Sequence, residues 1–243
     1  MPQSVVLNES DPSYDWKMDK ELGLILHEVF EMSYTIPFIQ SLKQFLEIKS
    51  VHDAVGNNFH NNTRVNSEVY SDVWDGKFVK RDPEFINLNG AILGFQIYMD
   101  EVELANPLGS KKGKHKVSVF YWVLMNLPPR FRSCLRSILL LGIVSSDLLK
   151  QRWVSTFLRP FLDDLILLRK GFSLTVRNET KKWHSMLLNF VGDIPASNFV
   201  AGFKEGVGFA NLPCRSCMTH KDQLETIHRE ANCIMRDKIS HQF

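Results

Sequence analysis

The stretch AILGFQIYMD, residues 91–100, decides the fold. It is an apolar run built from good β-formers, and it stops on a carboxylate. Three further runs are built the same way: VSVFYWVLM (117–125), SILLLGIV (137–144) and HSMLLNFVG (184–192), the last ending on Asp193. Between the third and fourth runs the period changes. Leu158, Phe161, Leu162, Leu165 and Leu168 recur at three- and four-residue steps within 148–170, and Gly171 follows as a cap for that helix. The order is strand, strand, strand, helix, strand. Runs that are apolar throughout, rather than alternating, imply strands covered on both faces. The expectation is an α/β domain with a mixed sheet flanked by helices.

Outward from this centre the signals weaken. Residues 1–85 read as a helical or irregular N-terminal extension. Within it, Leu22, Ile25, Leu26, Val29 and Phe30 keep helical spacing, and Phe38, Ile39, Leu42, Phe45, Leu46 and Ile48 supply a second apolar face. Pro37 between them predicts two helices over 16–49 rather than one. The Asn-rich GNNFHNNTRVN (56–66) predicts an exposed loop across 50–67. Residues 68–90 look irregular, with turn signals at Asp75-Gly76 and Asn89-Gly90. The core is expected over 86–211, with a short helix from Ser197 to Gly208. Residues 212–243 read as a Cys/His knuckle, LPCRSCMTH (212–220), followed by a polar helix over 221–239.

Composition narrows the function classes. The 243 residues are 44% hydrophobic and 23% charged, as in a globular protein. The formal net charge of +2 does not by itself point to nucleic acid, so any such argument rests on local segments. There are two. SKKGKHK (110–116) carries Lys111, Lys112, Lys114 and Lys116, and NLPPRFRSCLR (126–136) carries Arg130, Arg132 and Arg136. The lysine loop is either a solvated turn or a set of phosphate contacts. No run of eighteen apolar residues exists, and the N-terminus lacks a basic segment followed by an apolar one, so neither a membrane span nor a secretory signal is expected. The Gly-rich GFKEGVGFA (202–210) is not a phosphate-binding loop, since no Gly-Lys-Ser/Thr follows, and there is no nucleophile elbow or His-Glu-x-x-His helix. The five tryptophans, Trp16, Trp74, Trp122, Trp153 and Trp183, read as packing residues.

Two places carry chemistry. Asp100 and Asp193 each close a strand-like run. In such a sheet two carboxylates at neighbouring strand ends can bind divalent metal through hard oxygens; the plainer alternative is a solvated or helix-capping Asp. Glu101 and Glu103 are secondary acidic candidates, and alternation turns Glu101 to the opposite face from Asp100. Cys214-x-x-Cys217 has tetrahedral-metal spacing, and one pair is half a zinc site. His220, His228, Cys233 and His241 are the residues available to complete it, with His228 and Cys233 near ligand spacing. The alternative is a pair of buried thiols.

Six segments stand in order: YMDEVELANPLGS (98–110), NLPPRFRS (126–133), LRPFLDDLILLRKG (158–171), FVGDIPASN (190–198), GFKEGVGFA (202–210) and CRSC (214–217). This succession resembles the transposases of the CACTA (En/Spm) group and their animal relatives. The resemblance implies an RNase H-like fold whose acidic triad cuts and joins DNA with Mg2+ or Mn2+, acting in the nucleus on transposon ends, as a homo-oligomer. It maps the first two acids onto Asp100 and Asp193, implies phosphate contacts from the lysine loop, Arg130 and Arg132, and supports Zn2+ on Cys214, Cys217, His228 and Cys233. The third acid has no counterpart. Glu225 and Glu230 are the acids on the expected C-terminal helix, and neither sits in a family motif. The expectation is a truncated or remnant transposase-derived chain with incomplete strand-transfer chemistry, or a non-catalytic relative that binds nucleic acid or protein.

Overall fold

A computed structural model describes residues 1–6, 13–29, 32–61, 70–89, 91–104, 116–152, 154–237 and 239. The chain forms two compact units, Met1–Phe190 and Val191–Phe243. In the first, strands β1 (Gln3–Val6), β2 (Ser13–Asp19), β3 (Gly23–Val29) and β4 (Met32–Thr35) precede helices α1 (Phe38–Glu47) and α2 (Lys49–Asn61). Two short helices follow, α3 (Lys77–Lys80) and α4 (Pro83–Asn87), then β5 (Leu93–Glu103), β6 (Lys116–Leu124), α5 (Pro129–Arg132) and β7 (Ile138–Ser145). Next come α6 (Ser146–Arg152), α7 (Val154–Arg169), β8 (Phe172–Val176), β9 (Glu179–Trp183) and β10 (Ser185–Val191). Helix α8 (Ile194–Val200) opens the second unit.

Six strands make one mixed sheet in the order β1-β4-β7-β6-β5-β10. The four expected strands are all in it. β5, β6 and β7 form an antiparallel meander, with Phe95 opposite Leu124, Glu103 opposite Lys116 and Phe120 opposite Gly142. α6 and α7 then intervene, and β10 lies on the other side of β5, where the Leu93 N–H donates to the His184 carbonyl at 2.9 Å.

Continuous apolar strands need a cover on each side, and the chain supplies two. On one face Phe38 of α1 is the hub. Its ring meets Phe95 at 5.0 Å, Trp122 at 5.2 Å and Phe161 of α7 at 4.7 Å between centroids, all edge-on. Trp122 is 0% exposed. Pro37 starts α1 and has no N–H to leave unsatisfied, and the Asp164 carboxylate on α7 accepts from the Ile39 N–H. On the other face the segment 72–92 lays down Trp74, Val79, Phe85 and Ile92 against Val123, Met125 and Met186. The Trp74 indole donates to the Met125 carbonyl at 3.0 Å. Gly94 lets this cover close. A Cβ there would sit 2.4 Å from the Trp74 ring and 2.6 Å from Leu188.

Residues 70–89 are therefore better ordered than their sequence suggests. Asp72 caps a single 3-10 turn at Val73–Asp75, and Asp82 caps α4 by accepting from the Glu84 and Phe85 N–H groups. Both caps are tied to the sheet's far connections. Arg132 grips Asp72 through both terminal nitrogens, and Arg169 of α7 reaches Asp82 at 2.9 Å.

Other expectations need correction. The helix expected over 16–36 is absent. β2 and β3 pair as an antiparallel hairpin there, Trp16 opposite Leu26 and Met18 opposite Leu24. Leu22, Leu24 and Leu26 fit a two-residue period as well as Leu22, Ile25 and Leu26 fit a helix, and turn chemistry chooses between them. The Asp19 carboxylate accepts from the Glu21 and Leu22 N–H groups, and Gly23 takes φ +77°. The N-terminal extension is thus part strand, and β1 and β4 join the main sheet through β7. The loop expected from 50 is a helix as far as Asn61, because Val51 and Val55 bury one side of it and Lys49 pairs with Asp53 one turn on at 2.6 Å. β8 and β9 form a further hairpin, turned by Arg177 and Asn178 at φ +51° and +66°.

In the second unit, α8 begins at Ile194 rather than Ser197, because Pro195 favours a first turn and Asp193 supplies its cap. The polar helix expected over 221–239 is not formed. Two 3-10 turns, Lys221–Gln223 and Glu230–Asn232, stand there instead, and the chain after the second returns to pair with the knuckle. Cys217 bridges Met235, the Met218 N–H donates to Ile234, and the Arg236 N–H donates to Ser216. Arg236 fastens this return by donating to the Cys214 and Leu212 carbonyls beneath the Phe203 ring. Short ladder bonds replace helical ones.

Candidate nucleic-acid site

Asp100 lies within β5, not at its end; three more residues continue the pairing, with Asp100 opposite Val119. It is exposed, on the strand's Gln96–Tyr98 side by alternation. Glu101 turns the other way, as the period of two requires. Its carboxylate meets Lys116 of β6 at 3.4 Å and Lys150 of α6 at 3.5 Å. Glu101 is thus engaged by two cations while Asp100 presents its oxygens to solvent. Lys150 carries no motif in the sequence; only the helical return of α6 over the strand brings it to Glu101.

Asp193 is two residues past β10, not its last residue. It is exposed, and its Oδ1 accepts from the Ala196 N–H at 2.8 Å as the N-cap of α8. The capping alternative is thus realised in this residue, with the second oxygen outside that bond.

The basic candidates divide. Lys111, Lys112 and Lys114 lie outside the described residues, as do Trp153 and His241. Lys116 pairs with Glu101. Arg132 is drawn inward. Its guanidinium holds Asp72 and the Leu127 carbonyl, so three of its five N–H donors serve the fold. Arg130 and Arg136 are exposed. Arg130 lies over the Phe131 ring at 4.8 Å, and Arg136 edges an apolar hollow of about 390 Å³ that Phe45, Val51, Leu127 and Phe131 line.

Two of the knuckle-region thiols approach one hydroxyl. Cys217 Sγ is 3.1 Å from Thr219 Oγ1, which lies 3.6 Å from Cys233 Sγ. The Thr219 hydroxyl and then its backbone N–H pull the Cys217 thiol down to about 7, helped by Cys214 and Cys233 and opposed by burial. Cys214, Cys217 and Cys233 are soft donors of the kind Zn2+ takes. The two histidines nearby do not join them in a closed set. His228 is exposed, and the His220 Nδ1 accepts from the Asp222 N–H as a local cap. Among the described residues no group of three or more His, Cys, Asp or Glu side chains is arranged to hold a metal ion. A four-ligand zinc set is thus not completed among the described residues, outside which His241 lies, and the finding bears less on Mg2+. Mg2+ keeps several waters and is held by one or two carboxylates together with substrate phosphates. An exposed, hard-donor Asp100 fits that mode.

Among the described residues no helix is long and apolar enough to cross a membrane. No family model matches the chain, and no curated protein matches it.

Proposed function

We propose that the chain is a transposase-derived, RNase H-like domain that engages DNA in the nucleus, with Asp100 and Asp193 as its metal-binding carboxylates. The observation that carries this reading is the strand order. An antiparallel meander β5-β6-β7, a helical crossover through α6 and α7, and a return strand β10 beside β5 is the arrangement such a domain requires. It makes the Asp100 strand central, and the strand beside it leads in the chain to Asp193. When bound, Mg2+ or Mn2+ would polarise a phosphodiester and stabilise the leaving oxygen. The protein's own part is to present carboxylates to the ions and to bring exposed cations such as Arg130 and Arg136 to the backbone.

A second reading, a DNA-binding relative without cleavage, draws on Asp193. One of its oxygens is committed to capping α8, and an acid held by its own helix has less freedom to ligate. One assay separates the two. The full chain is incubated with supercoiled plasmid in Mn2+ and the nicked circle is measured. Nicking that disappears in both Asp100→Ala and Asp193→Ala supports strand chemistry. Binding without nicking supports the second reading, and nicking retained in either variant rejects the assigned acids.

A further inference from the structure

The hairpin β2–β3 forms a two-stranded sheet of its own, and among the described residues no other strand pairs with it. Its two faces differ. Alternation puts Tyr14, Trp16 and Met18 of β2 on the same side as Leu24 and Leu26 of β3, with Leu22 at the turn. Asp15, Lys17, Asp19 and His27 take the other side. The six apolar side chains are 56–78% exposed. A two-stranded hairpin alone is marginal in water and gains stability only when a second layer covers its apolar face. The six residues present roughly 800 Å² per chain, above the roughly 300–600 Å² of the largest patch on an ordinary monomer and about what one partner contributes to a standard interface.

We infer that this face is a homodimer interface whose occupant is the same hairpin of a second copy. The composition is self-complementary. β2 presents aromatic and thioether side chains, and β3 presents leucines. A two-fold axis along the strands lays β2 of each copy across β3 of the other, so that large rings meet branched aliphatics twice over. Asp15, Lys17, Asp19 and His27 stay on the outer sides, where they remain in water, while Glu28, paired with Tyr14, has its register position on the apolar side at the open end of the hairpin. An interface of this size with an aromatic at its centre is a stable one, and Trp16, flanked by Tyr14 and Met18, is that centre. The inference rests on the hairpin alone and is independent of the DNA reading.

Sedimentation velocity of the full chain at micromolar concentration tests it. The expected result is a dimer. Trp16→Glu weakens it by about 100-fold or more, while Lys17→Glu on the opposite side leaves it unchanged. A second measurement guards against a hairpin that fails to form in the charged variant. Chains carrying Trp16→Cys are mixed with chains carrying Leu26→Cys and treated with a short bismaleimide, because facing sheets stand about 10 Å apart, beyond disulfide reach, and peptide mass spectrometry finds the cross-link joining positions 16 and 26 of different chains. A native chain that sediments as a monomer, or a dimer indifferent to Trp16→Glu, overturns the inference.

Discussion

The β5–β6 pair and the β2–β3 hairpin are both antiparallel ladders rich in large apolar residues, yet they live in opposite environments. From Phe95 to Met99 the first is buried except for Tyr98, because α1 and α7 cover one side and the 72–92 segment covers the other. In the second, Trp16 and its neighbours stand in solvent. The difference shows that residue type alone does not decide burial. It depends on whether the chain returns a second layer, and among the described residues no further strand pairs with β2–β3.

Tryptophan truncation gives the largest contrast. Trp122→Ala removes the ring that Phe38, Phe45 and Phe95 pack against edge-on, and it should cost about 3–5 kcal/mol in chemical unfolding. Trp16→Ala, measured at a concentration where the chain is monomeric, should change stability by no more than about 0.5 kcal/mol. Equal costs at the two positions would mean that the hairpin is covered within its own chain.

A smaller effect is expected where the second layer is fastened. Burial pushes the Asp82 carboxyl up. The hydrogen bond from Arg169, with the Phe85 and Glu84 N–H groups and the guanidinium charge, more than offsets this, so the carboxyl sits below the usual carboxylate range. A depressed acid contributes stability that is fully present above its unfolded value of 3.8 and is lost as pH falls through the lower folded value. Asp82→Asn should cost about 1–2 kcal/mol near neutrality, a figure discounted because Arg169 is partly exposed, and the gap to the native chain should narrow in strong acid. A gap constant across that acid range would show that Asp82 acts only as a neutral cap.

The same contrast explains what was legible beforehand. Strands apolar on both faces, such as Ile97 with Tyr98 or Val123 with Leu124, admit no helical reading that leaves a polar side, so the central sheet and the α7 crossover could be read directly. Amphipathic segments are ambiguous. Leu22 to Val29 satisfies two periods, and only Asp19 and Gly23 at the turn choose one. The ties from the capping residues Asp72 and Asp82 to the rest of the fold run to Arg132 and Arg169, which come from distant segments and leave no local trace. Of the site, the opposed orientations of Asp100 and Glu101 followed from strand alternation. The use of Arg132 for the fold and of Asp193 as a helix cap did not, because each depends on a partner that the spacing of residues does not reveal.

The most direct test is DNA affinity, measured by fluorescence anisotropy with and without Mg2+. If Asp100 and Asp193 each hold divalent ions against DNA phosphates, the native chain should bind duplex DNA more tightly in Mg2+ than in EDTA. Asp100→Ala and Asp193→Ala should each lose roughly fivefold in Mg2+ yet bind slightly better than the native chain in EDTA, where the missing carboxylate no longer repels phosphate. Affinities that respond to the two substitutions identically in Mg2+ and EDTA would contradict a metal-bearing role for these aspartates.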